Sequence, residues 1–196
     1  MAQYNTPQAI RPLEKLVCDF AYSNGYDPMS VFNDFLRYVI HGFSPGAPPL
    51  MDWKYKRQQN RHFMEMLVGW IRLMQRELQS GEWFDSFGDL FMAISSKSGR
   101  QVNGQFFTPP DICDLMFLCT DSGETATGKR ICDPTCGSGR LLLAYHVRHL
   151  GNYLVAEDVS RTCCLMTVCN MLVHGCIGEV IHHDSLCTEN FMDGWM

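Results

Sequence analysis

The stretch 131–140, Ile-Cys-Asp-Pro-Thr-Cys-Gly-Ser-Gly-Arg, constrains the fold of this chain more than any other part of the sequence. Apolar residues lead into Asp133, a turn of small residues follows, and an apolar helical pattern begins at Arg140. A strand, a glycine turn and a helix in this order bring backbone close to a nucleotide-like ligand in open α/β sheets. Gly137 and Gly139 lack Cβ, so the sequence predicts positive φ angles and room for a ligand at this turn.

Asp133 is expected at the carboxyl end of the strand, where open α/β sheets bind ligands. A carboxylate there suits a cationic group better than a phosphate, which favours an amino-acid-bearing cofactor over a dinucleotide.

Two known nucleotide-binding motifs match this region only in part. Leu142 occupies the third glycine position of a dinucleotide fingerprint. Segment 123–129 resembles a phosphate-binding loop, but Arg130 replaces the residue that would hold magnesium, and the segment precedes a strand, so we interpret it as a polar loop.

The sequence Asp-Pro-Thr-Cys-Gly-Ser-Gly at 133–139 resembles the cofactor motif of N6-adenine DNA methyltransferases, especially the modification subunits of type I restriction-modification systems. Four further elements resemble that family in order and in spacing. They are Gly-Gln-Phe-Phe-Thr-Pro at 104–109, Glu157 at a strand end, Asn-Met-Leu-Val-His-Gly at 170–175 and His-Asp-Ser-Leu at 183–186. One such match would be weak, but a series in the family's order is specific.

The resemblance implies the fold, the cofactor and the activity of that family. The implied fold is α/β, with part of a class I S-adenosylmethionine-dependent methyltransferase (Rossmann-like) sheet of about three parallel strands in 101–196 and a helical region in 1–100. The implied cofactor is S-adenosyl-L-methionine, and the implied activity is methylation of adenine N6 in DNA within a restriction-modification system. The candidate cofactor-binding residues are Phe107, Thr108, Pro109, Asp133, Thr135, Gly137, Ser138, Gly139, Glu157, Asp158, Asp184 and Ser185.

Some of these residues have an expected role. Glu157 ends the strand after the glycine turn, where a carboxylate accepts hydrogen bonds from ribose hydroxyls. Asp158 is the second candidate for that role, and an acidic cap of the next helix is the alternative. By resemblance, Asp184 receives the adenine amino group, and segment 106–109 lies against the methionine end of the cofactor. The alternative for this segment is a helix entry with Thr108 as N-cap, and both interpretations are compatible.

Apolar spacing predicts the remaining elements. In 1–100 it predicts helices that open at Thr6-Pro7 and Asp27-Pro28, helices over about 58–79 and 87–94, and a polar loop over 95–103. In the second half it predicts strands at 130–132, 152–157 and 179–183, helices at 140–147 and 160–174, and a helix after Thr108 with Ile112, Leu115, Met116 and Cys119 inward. The basic and aromatic cluster 53–62 could contact nucleic acid, but a solvated helix start is the favoured interpretation.

Charge and cysteine spacing limit the partners of the chain. Residues 105–196 carry 5 Lys or Arg and 11 Asp or Glu. A protein that binds DNA alone has a basic face, so we expect DNA contact mostly through other domains or subunits.

None of the ten cysteines forms a C-x-x-C pair, and the adjacent His182 and His183 would face opposite sides of a strand, so no metal site is predicted. A reduced cytoplasmic location without membrane insertion is expected.

The catalytic element of the family, Asn or Asp followed by Pro-Pro and an aromatic residue, is not recognisable. The Pro-Pro pairs at 48–49 and 109–110 lack these neighbours, so no catalytic residue is assigned and the chain alone is expected to be inactive. A non-catalytic S-adenosylmethionine-binding or assembly module is the alternative, and a small-molecule methyltransferase is a third hypothesis. Three strands would leave the strand at 130–132 with an open edge. Either the chain is a fragment, or an N-terminal helix, a specificity subunit or a second copy is expected to cover that edge.

Overall fold

The computed structural model describes residues 6–50, 53–97, 107–121, 123, 127–187 and 189–196. The chain divides into two compact units. The first unit is Met1–Gln79 with Ser86–Gln105, and the second is Ser80–Asp85 with Phe106–Met196. The short segment Ser80–Asp85 therefore belongs to the second unit, although it lies between two helices of the first.

The first unit is helical, and its core is aromatic. Its helices are α1 (Arg11–Ser23), α2 (Pro28–Gly42), α3 (Arg57–Glu77, followed by the 3-10 turn Leu78–Ser80) and α4 (Ser86–Lys97). The apolar faces of these helices pack together around large side chains that have no exposed surface, among them Phe32, Phe35, Phe63, Trp70 and Phe87. Trp70 keeps its indole N–H satisfied in this core by donating to Ser86 Oγ at 2.8 Å.

The predicted start of α2 is confirmed, and the predicted bounds of α3 are correct within two residues. Helix α1 begins at Arg11 instead of Thr6-Pro7, where the chain forms only a turn closed by the Ile10 amide on the Pro7 carbonyl. Helix α4 runs on to Lys97, so the predicted loop is wrong for residues 95–97. Residues 98–103 of that predicted loop lie outside the described residues.

The aromatic members of cluster 53–62 contribute to packing within the first unit. The Trp53 ring stacks on Tyr38, and the Tyr55 ring lies against Phe63 with centroids 4.6 Å apart. Lys54 Nζ lies 3.0 Å from Asp34 Oδ2. Because these rings are used in intramolecular contacts, they do not form an open surface for stacking bases, which supports the interpretation as a helix start.

The second unit contains a four-stranded sheet and three helices among its described residues. In chain order they are α5 (Pro110–Thr120), β1 (Arg130–Asp133), α6 (Arg140–His146), β2 (Tyr153–Asp158), α7 (Arg161–His174), β3 (Ile177–His182) and β4 (Asp193–Trp195). The strand order is β1-β2-β3-β4, with the first three parallel and β4 antiparallel to β3. The predicted α/β class and the three parallel strands are confirmed, and the short β4 was not predicted.

The helices of the parallel crossovers have clear local signals. Ser160 caps α7 by accepting a hydrogen bond from the Cys163 amide, and Gly175 ends it in the left-handed region, in agreement with the helix predicted at 160–174. A run of α7 side chains from Cys163 to Met171 is buried, because the helix packs along β2 and β3. The parallel strands end at the same edge of the sheet, so this packing sets their carboxyl ends side by side.

Helix α5 differs from its prediction in two respects. Cys113 and Phe117 are buried, whereas Ile112, Leu115 and Met116 are 44%, 53% and 46% exposed and Cys119 is also exposed. The N-cap is Pro109, which has no side-chain acceptor, so the predicted cap by Thr108 is wrong. The cap differs because the helix starts at the second proline, and the buried face differs because it is set by the elements that the helix meets.

The edge of the sheet formed by β1 is open among the described residues. Strand β1 pairs with β2 alone, which agrees with the unpaired edge expected from the sequence. Within the same part of the chain, no helix is long and apolar enough to cross a lipid bilayer.

Candidate cofactor-binding site

The glycine turn between β1 and α6 is the centre of the candidate site. Gly137 and Gly139 have φ angles of +57° and +88°, so the predicted positive φ values are confirmed. A Cβ on Gly137 would lie 3.0 Å from Cδ1 of Phe107, and one on Gly139 would lie 3.1 Å from Cγ2 of Thr167. A side chain at either position would therefore meet another side chain of the protein, Phe107 or Thr167.

The end of β2 holds this turn in place. The Cys136 amide donates to the Glu157 carbonyl at 2.8 Å, and the Gly137 amide donates to Asp158 Oδ2 at 2.9 Å. The other oxygen of Asp158 accepts from the Ser160 amide at 2.7 Å. Asp158 thus links the glycine turn to Ser160, and the N-cap of α7 is Ser160 and not Asp158.

Asp133 ends β1 with a nearly buried carboxylate. Its side chain is 9% exposed, and its Oδ1 accepts from the Thr135 amide at 3.1 Å. Burial raises the pKa of Asp133 above its ordinary value, the Thr135 hydrogen bond opposes this effect, and the negative charge of Asp158 adds to it. The charged form of a buried carboxylate with a raised pKa is stabilised when a positive charge approaches.

A cavity of about 70 Å³, partly open to solvent, lies over the glycine turn. Its lining includes six of the predicted residues. These are Phe107, Thr108, Asp133, Thr135, Gly137 and Ser138, and they are joined by Cys136, Arg140 and Leu141. Pro109 and Gly139 are outside the lining and form the N-caps of α5 and α6.

The remaining predicted residues lie at the carboxyl ends of β2 and β3 and do not line this cavity. Glu157 Oε2 is 3.0 Å from Nε2 of the buried His183, without hydrogen-bond geometry. Asp184 Oδ1 accepts from the Leu186 amide at 3.0 Å. Ser185 Oγ donates to the Pro134 carbonyl at 2.6 Å and so connects the end of β3 to the end of β1.

The two adjacent histidines do not act together. His182 Nε2 lies 3.1 Å from the Val159 carbonyl, whereas His183 is directed to Glu157. In the part of the chain that the structure describes, no three His, Cys, Asp or Glu side chains are grouped so that they could hold a metal ion.

A buried polar cluster beside the turn was missed by the sequence analysis. Asp85 accepts hydrogen bonds from Ser138, Arg140 and Asn170. Arg140 and Asn170 stand in the quoted motif sequences, but nothing in their spacing indicates a common partner at Asp85. The available signal is chemical: an Arg directly after a glycine turn, at the start of an apolar helix, needs a buried acceptor.

Together these features define an α/β unit with a glycine turn between its first strand and the following helix. A family model for N-6 DNA methylases matches residues 83–196, more than half of the chain. The chain therefore belongs to the N-6 DNA methylase family, and the family predicted from the sequence motifs is confirmed. A search of curated proteins and a search of solved structures gave no match.

Proposed function

We propose that this chain is the S-adenosyl-L-methionine-binding part of a DNA methyltransferase that methylates adenine N6 in a restriction-modification system. The observation that carries the proposal is the cavity over the glycine turn, which combines the Phe107-Thr108 segment, the Asp133 carboxylate and the backbone of Gly137. The family match supports methyl transfer to DNA in general. In this proposal the second unit contains part of a class I methyltransferase sheet, and the protein is located in the cytoplasm.

The residues present fit such a cofactor. Asp133 offers a nearly buried carboxylate for the ammonium of an amino acid, which suits its raised pKa. Glu157 and Asp184, at the next two strand ends, offer acceptors for ribose hydroxyls and for an adenine amino group. When bound, the cofactor supplies a methyl group on a sulfonium. The protein's contribution is to bind it and to orient it.

A non-catalytic binding or assembly module remains the second candidate, for one specific reason. The printed sequence contains no Asn or Asp followed by Pro-Pro and an aromatic residue, the element that would accept the target amine. In either case we propose that DNA is held mostly by other domains or subunits. The open edge of β1 is the proposed contact for a specificity subunit or for a second copy.

Calorimetric titration with S-adenosylmethionine and S-adenosylhomocysteine tests the proposal. The unmutated chain should bind both. Gly137→Arg should abolish binding, because a side chain there meets Phe107 and must adopt a φ of +57°. Glu157→Ala should weaken binding by about 1–3 kcal/mol, the range for a lost hydrogen bond to a charged group.

The matched control is Gly42→Arg at the end of α2, where an added Cβ has no neighbour within 4 Å and φ is ordinary. This variant should bind like the unmutated chain. If the folded, unmutated chain binds neither ligand, the proposed cofactor is wrong.

A further inference from the structure

Three consecutive residues before α4 are anchored to different parts of the second unit. Trp83 Nε1 donates to Asp114 Oδ1 of α5 at 2.9 Å, and the Phe84 amide donates to His174 Nε2 of α7 at 3.2 Å. Burial lowers the pKa of His174, which favours the neutral ring that can accept this hydrogen bond. The backbone next to Asp85 is thus held from two helices.

The Asp85 carboxylate lies in the interior and is fully engaged. Its Oδ2 accepts from Ser138 Oγ and from Arg140 Nε, each at 2.5 Å, and its Oδ1 accepts from Asn170 Nδ2 at 2.7 Å. All four residues are 7% exposed or less. A buried ion pair of this kind requires both partners, because loss of one leaves an uncompensated charge in the interior.

Arg140 connects Asp85 to the 107–108 segment, which lines the cavity together with the glycine turn. Its Nη1 donates to the Thr108 carbonyl at 3.0 Å, and its guanidinium lies 5.7 Å from the centroid of the Phe107 ring. The Phe107 ring in turn covers Gly137. Asp85 is therefore joined to the glycine turn through Ser138 and to the 107–108 segment through Arg140.

We propose that Asp85 is a positioning residue of the candidate site, which fixes the glycine turn and the 107–108 segment relative to each other. Asp85 does not line the cavity itself, so it acts through Ser138 and Arg140. The identity of the ligand rests on the proposed function, whereas the ordering of the glycine turn and the 107–108 segment does not.

Hydrogen exchange in the ligand-free protein tests the ordering directly. In Asp85→Asn the amides of Gly139 and Cys113 should exchange about tenfold faster, since a hydrogen bond to a charged group is weakened. The Val180 amide of β3 should exchange at the unmutated rate, which a general loosening of the unit would not allow. Asp19→Asn, an exposed carboxylate of α1, is the matched control and should change none of the three rates.

A milder variant covers the case in which Asp85→Asn does not fold. Ser138→Ala removes one hydrogen bond and keeps the Asp85–Arg140 pair, so exchange should rise at Gly139 and not at Cys113. Unchanged exchange at Gly139 in whichever of the two variants folds overturns the inference.

Ligand titration separates this inference from the proposed function. Asp85→Asn should weaken S-adenosylhomocysteine binding about tenfold and leave adenosine binding unchanged. The reason is that, in the proposed binding mode, only the amino-acid part of the ligand contacts the glycine turn and the 107–108 segment, which Asp85 orders. Equal loss for both ligands, or loss for neither, contradicts the positioning role. If the unmutated chain binds neither ligand but the exchange rates change as stated, the proposed function fails and the ordering by Asp85 stands.

Discussion

Burial gives Asp133 opposite effects on folding and on the proposed binding. Because its pKa is raised in the folded protein, the folded state keeps this proton to a higher pH than the unfolded chain does. Stability is therefore lost as the pH rises from the ordinary value of 3.8 through the raised value. A residue that destabilises its own fold in this way is typical of a ligand-binding position.

Replacing Asp133 with Asn should separate the two effects. The amide keeps an acceptor for the Thr135 amide but carries no charge, so the variant should unfold at higher urea concentration than the unmutated chain at neutral pH. The gain should shrink as the pH falls toward 3.8. Binding of S-adenosylmethionine should weaken, because the ammonium loses its counter-charge.

Urea denaturation across this pH range and calorimetric titration measure the two quantities. Asp111→Asn, an exposed carboxylate in α5, serves as the control and should not show the same pH-dependent gain. A lower stability of Asp133→Asn at neutral pH would contradict the role of burial.

The starts of the helices show how far local signals reach at the scale of an element. Asp27 and Ser160 precede α2 and α7, and both accept a hydrogen bond from an amide of the first turn. Thr108 precedes α5 in a similar sequence context, yet the cap falls on Pro109 and the Thr108 carbonyl accepts from Arg140. A residue type that favours N-caps therefore does not by itself determine where a helix is capped.

Two Ala substitutions should distinguish these cases. Ser160→Ala should lower the free energy of unfolding by about 1 kcal/mol through loss of a side-chain cap. Thr108→Ala should cost less than about 0.5 kcal/mol, since no cap is lost and the backbone carbonyl remains. Urea unfolding measures both, and Ser160→Asn, which keeps an acceptor, should recover most of the Ser160→Ala loss. Equal costs at the two positions would show that the assigned caps are wrong.

At the scale of the whole molecule, the charge distribution limits what the chain can do alone. The part that holds the candidate site, residues 105–196, has 5 basic and 11 acidic residues. Binding to the DNA backbone depends on Lys and Arg that neutralise phosphates, so this part is poorly suited to hold DNA unaided.

We therefore expect the isolated chain to bind the cofactor without methylating DNA. A labelled-methyl transfer assay on mixed-sequence DNA measures this, with cofactor binding verified on the same preparation by calorimetry. Clear incorporation at adenine N6 would mean that an unrecognised catalytic element lies in the chain, with the region of cluster 53–62 as the first place to search.

Much of the fold and part of the site follow from the sequence, because they depend on neighbours close in the chain. Helical spacing predicts α2 and α3, alternation of strands and helices predicts β1 to β3, and the glycines predict the positive φ angles of the turn. The order of motifs predicts the family. Each of these depends on backbone conformation or side-chain spacing within about one element.

The tertiary structure alone decided which side chains from different elements contact each other. The buried face of α5, the Asp158 link to the glycine turn and the Asp85 pair with Arg140 all depend on partners from other elements. Asp85 and Arg140 are 55 positions apart in the sequence. A carboxylate has the same chemistry in every sequence context, and only the packing around it determines whether it faces solvent, a ligand or a buried arginine.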